Sequence, residues 1–185
     1  MKRLNYLFAT LIAGGMIFSG ACTDEETIDK TAILMDTLWD TSVLDVTVGN
    51  AFASQTIDVI EQVDDCTKDD LIDFISASEY NILDSDLSCS SNPPADGILF
   101  TGTWSYDQEA DQLELDADYF GQLTTGLGIS IDDLATNGTI LFDVVDLTEN
   151  KVELEFSKVV PVSDPTTGIS IDSDLTIEVT LIPAS

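Results

Sequence analysis

The feature that most constrains the fold is an alternation near the C-terminus. Leu175, Ile177, Val179 and Leu181 are apolar, while Thr176, Glu178 and Thr180 between them are polar. A period of two puts the four apolar side chains on one face of an extended strand and the polar ones on the other. Such a strand belongs in a sheet with one covered face and one wet face. The pattern recurs upstream, where Ile140, Phe142 and Val144 lead through Thr148-Glu149-Asn150, a hairpin turn, into Val152, Leu154 and Phe156. These alternate with Lys151, Glu153 and Glu155.

Shorter runs continue the pattern toward the N-terminus. Ile98, Phe100, Gly102, Trp104 and Tyr106 share one face of a strand, and Thr101, Thr103 and Ser105 share the other. Leu113 and Leu115 return after a turn at 107–111. Ile72-Asp73-Phe74 and Tyr80-Asn81-Ile82 flank a turn at Ala77-Ser78-Glu79, and Ser88 to Gly97, with Pro93-Pro94, reads as a loop. Leu44, Val46 and Val48 mark a further strand. Thr31 to Trp39 suits either a short helix or the lead into the first strand, and the apolar stretch Thr56 to Val63 fits either type. Cys66-Thr67-Lys68-Asp69-Asp70 reads as a capped turn, with Thr67 and Asp70 at capping-box-like spacing. Strands in meander order with one wet face predict an all-β domain: a small antiparallel up-and-down β-barrel of about eight strands, or a strongly curved sheet.

Two longer connections, about 117–136 and 160–172, carry similar text. One is Thr124-Thr125-Gly126-Leu127-Gly128-Ile129-Ser130-Ile131-Asp132 and the other Thr166-Thr167-Gly168-Ile169-Ser170-Ile171-Asp172. Loops of this length are often functional, which makes both candidates for a binding rim. The Thr, Gly and Asp richness of the chain accounts for the likeness between them.

The N-terminus carries an address. Lys2 and Arg3 precede a mostly apolar run from Leu4 to Phe18, and Ser19-Gly20-Ala21 precede Cys22 in the manner of a bacterial lipoprotein signal. The rivals are a short transmembrane anchor and a secretory leader cut before an ordinary cysteine. The run falls short of the roughly 20 apolar residues needed to span a bilayer, and Thr23-Asp24-Glu25-Glu26 follows without a basic flank. The expected organisation is a signal peptide at 1–21, a lipidated acidic tether at 22–36 and the barrel at 37–185. Two acyl groupings on Cys22 would anchor the chain firmly, since each buried methylene contributes about 0.8 kcal/mol. Asp24, Glu25 and Glu26 resemble the surface-export signal of lipoproteins in the Bacteroidetes group, which implies an outer-membrane protein facing outward.

The leader holds two of the six basic residues and none of the 35 acidic ones, so the remaining 164 residues keep four against 35, a net charge of −31. A chain this acidic repels nucleic acid and anionic headgroups, so membrane contact is expected through the lipid alone. Neutral glycans, apolar molecules, cations and basic proteins are the compatible partners. With 44% hydrophobic residues in regular alternation, the acidity reads as a solvated exterior around a core rather than as disorder. Cys66 and Cys89 stand 23 positions apart in a chain read as exported, which points to a disulfide that contributes about 3–4 kcal/mol.

Several of these segments together resemble a known family. Cys66-Thr67-Lys68-Asp69-Asp70, Ile72-Asp73-Phe74, Glu79-Tyr80, Cys89, Thr101-Gly102-Thr103-Trp104-Ser105 and Leu113-Glu114-Leu115 are similar to the lipocalin-like domain of Bacteroidetes lipoproteins, over much of 37–183. The resemblance implies a small barrel whose first strand carries a tryptophan, here Trp39, and whose paired cysteines bracket the second and third strands. No Gly precedes Trp39, and the two long connections depart from the family pattern as insertions. By analogy, the resemblance extends at most to binding of an apolar ligand.

Catalytic and metal signatures are sparse. The sequence holds no histidine, and it lacks a Gly-rich phosphate loop, a nucleophile elbow and a zinc motif. Asp64-Asp65, Asp69-Asp70 and Asp132-Asp133 read as solvated acid pairs in a chain with so many carboxylates. Asp84-x-Asp86 and Asp172-x-Asp174 space oxygen ligands two apart but lack the Gly and distant Glu of a calcium loop, so no metal or other cofactor is expected. Phe100, Trp104, Tyr106, Phe142 and Phe156 are the candidate barrel interior. An eight-stranded barrel is wide enough either to fill with such side chains or to hold one small ligand. The expected function is therefore a non-enzymatic, lipid-anchored barrel binding a small apolar ligand or an envelope partner. The alternative is an accessory subunit of a cell-surface complex, one that handles glycans for example.

Overall fold

A computed structural model describes residues 29–50, 53–124, 134–163 and 170–185, with the side chains of 121–124, 161–163 and 170–171 left out of account. Cys22 and the acidic run after it lie outside the described residues, as do Asp132-Asp133 and most of the two Thr-Thr-Gly texts.

The elements in chain order are α1 (Lys30–Met35), β1 (Leu38–Gly49), β2 (Ser54–Asp58), α2 (Asp65–Lys68), β3 (Leu71–Asp73), β4 (Glu79–Leu83), β5 (Ile98–Asp107), β6 (Gln112–Asp116), α3 (Ala117–Thr124), β7 (Thr139–Thr148), β8 (Lys151–Ser163) and β9 (Ser170–Pro183). All strand pairings are antiparallel. The order β1-β3-β4-β5-β6-β7-β8-β9 closes on itself because β1 also pairs β9, from Trp39↔Pro183 to Gly49↔Asp174. The expected up-and-down barrel is thus the architecture found, with eight strands in the ring. β2 is a ninth strand, paired only with the far half of β1. It lies in line with β3, which pairs the near half, so residues 59–70 form an excursion between two pieces of one stave.

Period-two patterning explains the core. Leu44 and Val46 on β1, Leu113 and Leu115 on β6, Val152, Leu154 and Phe156 on β8, and Leu175, Ile177, Val179 and Leu181 on β9 are all buried. The acids between them face water. Three bulges adjust the curvature, leaving Ser42, Leu99 and Val145 as the extra residues on β1, β5 and β7.

One end of the barrel is plugged. Asp29 caps α1, its side chain accepting from the Ala32 N–H at 3.2 Å. Leu34 on that helix is fully buried, and its carbonyl accepts the indole N–H of Trp39 at 3.0 Å. Lys30 pairs with Asp111 at the β5–β6 turn of the same end. Residues 30–35, expected within the tether, are therefore folded onto the barrel. A buried leucine on a capped turn gives that short helix a packing partner that an acidic tether would lack.

Three other expectations need revision. The connection expected at 160–172 is in part a hairpin, since β8 and β9 stay paired out to Ser163↔Ser170. The connection expected at 117–136 begins with α3. Cys66 to Asp70 is also no box-capped turn. Asp64 is the N-cap of α2 and makes no side-chain cap bond, while Thr67 lies inside the helix with its hydroxyl 3.3 Å from Cys89 Sγ.

Candidate functional site

The strand register puts the β1–β2 connection, α2, the β4–β5 connection and α3 at the end opposite α1. Here Cys66, in α2, is bonded to Cys89 in the β4–β5 connection, with Cα atoms 5.1 Å apart. Asp69 adds a second tie, its carboxylate accepting the Leu87 N–H at 2.7 Å. The β4–β5 connection is thus held against the excursion between β2 and β3.

Between these segments lies a cleft of about 480 Å³. Its apolar wall is made by Val63, Ile82, Leu99, Phe100 and Tyr119, and its polar groups come from Gln62, Asp64, Thr67 and Asp70, with Cys89 at the rim. The volume falls in the range of small-molecule sites, and an apolar wall with few polar groups is their usual composition. Leu99 reaches it because it is the bulged residue of β5, between the pairs Ile82↔Phe100 and Leu83↔Ile98.

Deeper in the barrel there is far less room. Among Leu44, Phe74, Tyr80, Phe120, Leu154 and Leu181 the free space is about 20 Å³, no more than about one water can occupy. At that level side chains fill the interior among the described residues.

The five aromatic residues of the candidate interior divide accordingly. Trp104, Phe142 and Phe156 are buried in the core, whereas Phe100 and Tyr106 are half-buried near opposite ends of β5. Trp104 stacks edge-on with Phe74 at 4.7 Å, and its indole N–H donates to the carbonyls of Ser76 at 2.7 Å and Glu79 at 3.2 Å. Phe142 packs between Phe120 at 5.3 Å and Phe156 at 6.1 Å. Tyr106 donates to Asp111 at 2.6 Å at the plugged end. Phe100 alone of the five lines the cleft, against Tyr80 at 5.9 Å and Tyr119 at 6.2 Å.

Asp70 is the residue that the reading of acid pairs as solvated misplaces. It is 7% exposed, and its Oδ1 has no hydrogen-bond partner. Burial first, then repulsion from Asp69 and Asp84, pushes its carboxyl up to about 7. Its own negative charge in turn adds to burial in raising the Tyr119 hydroxyl. Asp40, half-buried on β1, is also raised, first by burial and more weakly by Asp69. The alternation itself carries the missed signal, because Asp70 shares parity with the buried Ile72 and Phe74 and continues their inward face one step past the strand.

Most of the other singled-out acids are solvated. Asp64 stands at the N-cap position of α2 without a side-chain cap bond, Asp65 pairs with Lys68 at 3.2 Å, and Asp172 and Asp174 are exposed on β9. Asp86 is exposed in the β4–β5 connection, while Asp84 is half-buried with an unpartnered Oδ1. Among the described residues no three acidic or cysteine side chains converge to hold a metal ion.

No protein-family model matches the chain. No curated protein matches it either. Among solved structures it is similar to a lipocalin-like protein from Bacteroides uniformis, at 13% identity over 82% of this chain and 99% of that one, with a TM-score of 0.35. The closed antiparallel barrel stands on its own hydrogen-bonded ladders.

Proposed function

We propose that this is a non-enzymatic binding protein of the cell envelope, anchored by lipid on Cys22 and facing outward from the outer membrane, whose ligand site is the cleft at the disulfide-tied end. The observation that carries the reading is the position of the cleft. The described residues start at Asp29, at the plugged end, and the cleft lies at the opposite end of the barrel. Asp29 stands seven positions after Cys22, a reach of at most roughly 25 Å. A lipid on Cys22 would hold the plugged end toward the bilayer and leave the cleft free to meet solutes. The site proposed is this mouth rather than the deep barrel, where about 20 Å³ of apolar space is too small for a ligand. A chain without histidine and without a nucleophile motif favours binding over catalysis.

Native mass spectrometry of the protein purified from its own membranes tests the reading. A bound small molecule that leaves when Phe100 is replaced by Asp supports it. A stoichiometric protein in its place would make the barrel an accessory subunit of a surface complex. Replacing Cys22 with Ser tests the anchor separately, and retention in the membrane fraction would refute it.

A further inference from the structure

Among the described residues Asp69, Asp70 and Asp84 each keep a buried Oδ1 without a hydrogen-bond partner, and of the three Asp70 is the one that is buried and lines the cleft. It is 7% exposed. The charged or titratable groups set against it are Asp69 in its own segment, Lys68 at the end of α2, Asp84 just after β4 and Tyr119 on α3, with Asp64 at the rim. Lys68 lies 3.2 Å from Asp65 and is engaged there. Asp69 and Asp84 repel rather than compensate. A buried carboxylate with no partner is costly, and an opposite charge beside it recovers much of that cost.

The surrounding wall narrows what could bring that charge. Phe100 and Tyr119 present aromatic rings 6.2 Å apart at the cleft, with Ile82 and Leu99 beside them. Aromatic faces attract cations as well as apolar groups. An anionic ligand would meet Asp64 and Asp70 at once, and a neutral apolar one would leave Asp70 unpaired and still more desolvated. A chelated metal ion would need a convergent set of donors, which the described residues do not form.

We propose that the cleft binds a small organic cation, an ammonium group carried on an apolar body, with the charged group held against Asp70 and the body against Phe100, Tyr119 and Leu99. The proposal rests on the reading of the cleft as a ligand site. It also implies proton linkage: below about pH 7 an arriving ammonium must displace the proton on Asp70, so affinity rises with pH and levels off once Asp70 is ionised.

The test compares three probes of one shape by calorimetric titration of the purified protein: 4-phenylbutylammonium, 4-phenylbutan-1-ol and 4-phenylbutyrate. The amine should bind at least about tenfold more tightly than the alcohol at pH 8, the acid more weakly than either, and the amine should lose about tenfold or more between pH 8 and pH 5.5. In Asp70→Asn, whose folding is checked by circular dichroism, the amine and the alcohol should bind alike and the pH dependence should vanish. If the alcohol binds the parent as tightly as the amine, the cation preference is wrong and the ligand site stands. If the amine preference survives in Asp70→Asn, general attraction to an acidic surface explains it and the proposal is overturned. If none of the three binds at millimolar concentration, the proposal fails together with the reading of the cleft as a ligand site.

Discussion

Asp70 and Asp84 stand one register step beyond Leu71↔Leu83, the last pair of the β3–β4 ladder, as two like charges at facing positions. Each continues an inward face, Asp70 that of Ile72 and Phe74, and Asp84 that of Tyr80 and Ile82. Each leaves its Oδ1 without a partner. Like charges directly across a ladder are destabilising, so this pair weakens the sheet at the edge of its cleft.

Replacing Asp70 with Asn should therefore stabilise the protein in a pH-dependent way. Its folded carboxyl stands at about 7 against an ordinary 3.8. Its contribution to stability is full below about pH 4 and is lost as pH rises toward 7, because the unfolded chain ionises freely while the folded one resists. Asn does not ionise, so the variant should exceed the parent by about 1–2 kcal/mol at pH 8, the cost of an unsatisfied buried group. The gain should shrink as pH falls toward 4. Urea midpoints at the two pH values measure it, and an equal gain at both would refute the assignment.

Gly102 should not tolerate a side chain. On β5 it pairs with Tyr80, and a Cβ there would sit 2.6 Å from a ring carbon of Tyr80 and 2.6 Å from one of Phe100. Gly102→Ala should cost about 1–3 kcal/mol by overpacking, read as a fall in the denaturation midpoint. A neutral result would mean that the two rings shift without penalty.

Opening the Cys66–Cys89 disulfide should destabilise the fold by about 3 kcal/mol, since it closes a span of 23 residues. The Cys66→Ala/Cys89→Ala double variant should show the loss in urea unfolding and should weaken any ligand bound in the cleft, which Cys89 borders. Identical midpoints for parent and variant would show that the ties through Asp69 and the β3–β4–β5 ladders hold that end unaided.

Leu34 tests the plug at the other end. Leu34→Ala removes a fully buried side chain and should cost about 2–5 kcal/mol. Trp39, whose indole N–H donates to the Leu34 carbonyl, should report the loosening as a red shift in emission. A variant as stable as the parent would make α1 an ornament on a barrel closed without it.

Much of the barrel is legible in the sequence. Leu175 to Leu181 and Ile98 to Tyr106 alternate so regularly that their inward faces could be assigned residue by residue, and Cys66 and Cys89 could be paired. The short helix at Lys30–Met35 was harder to read, because six residues offer less than two turns of periodicity and Leu34 becomes informative only once Trp39 is above it. Pairing of β8 and β9 beyond residue 160 was hidden for another reason. Val160 to Val162, with Pro161, and Ser170 to Ser173 break the clean alternation, so the ladder of their neighbours carries them.

The sequence by itself determined which way each strand faces, because side-chain direction along an extended chain is a local property with a period of two. It also determined the acidity and pointed to the cysteine pair. Only the tertiary structure decided that β1 meets β9, that Phe142 and Phe156 fill the barrel while Phe100 borders a cleft, and that Asp70 is enclosed rather than solvated. Whether an inward residue is packed, bordering a cavity or stranded as an unpaired charge depends on what distant segments lay over it. For Asp70 those are its neighbours in the 59–70 excursion and Tyr119 on α3, nearly fifty residues away in the chain.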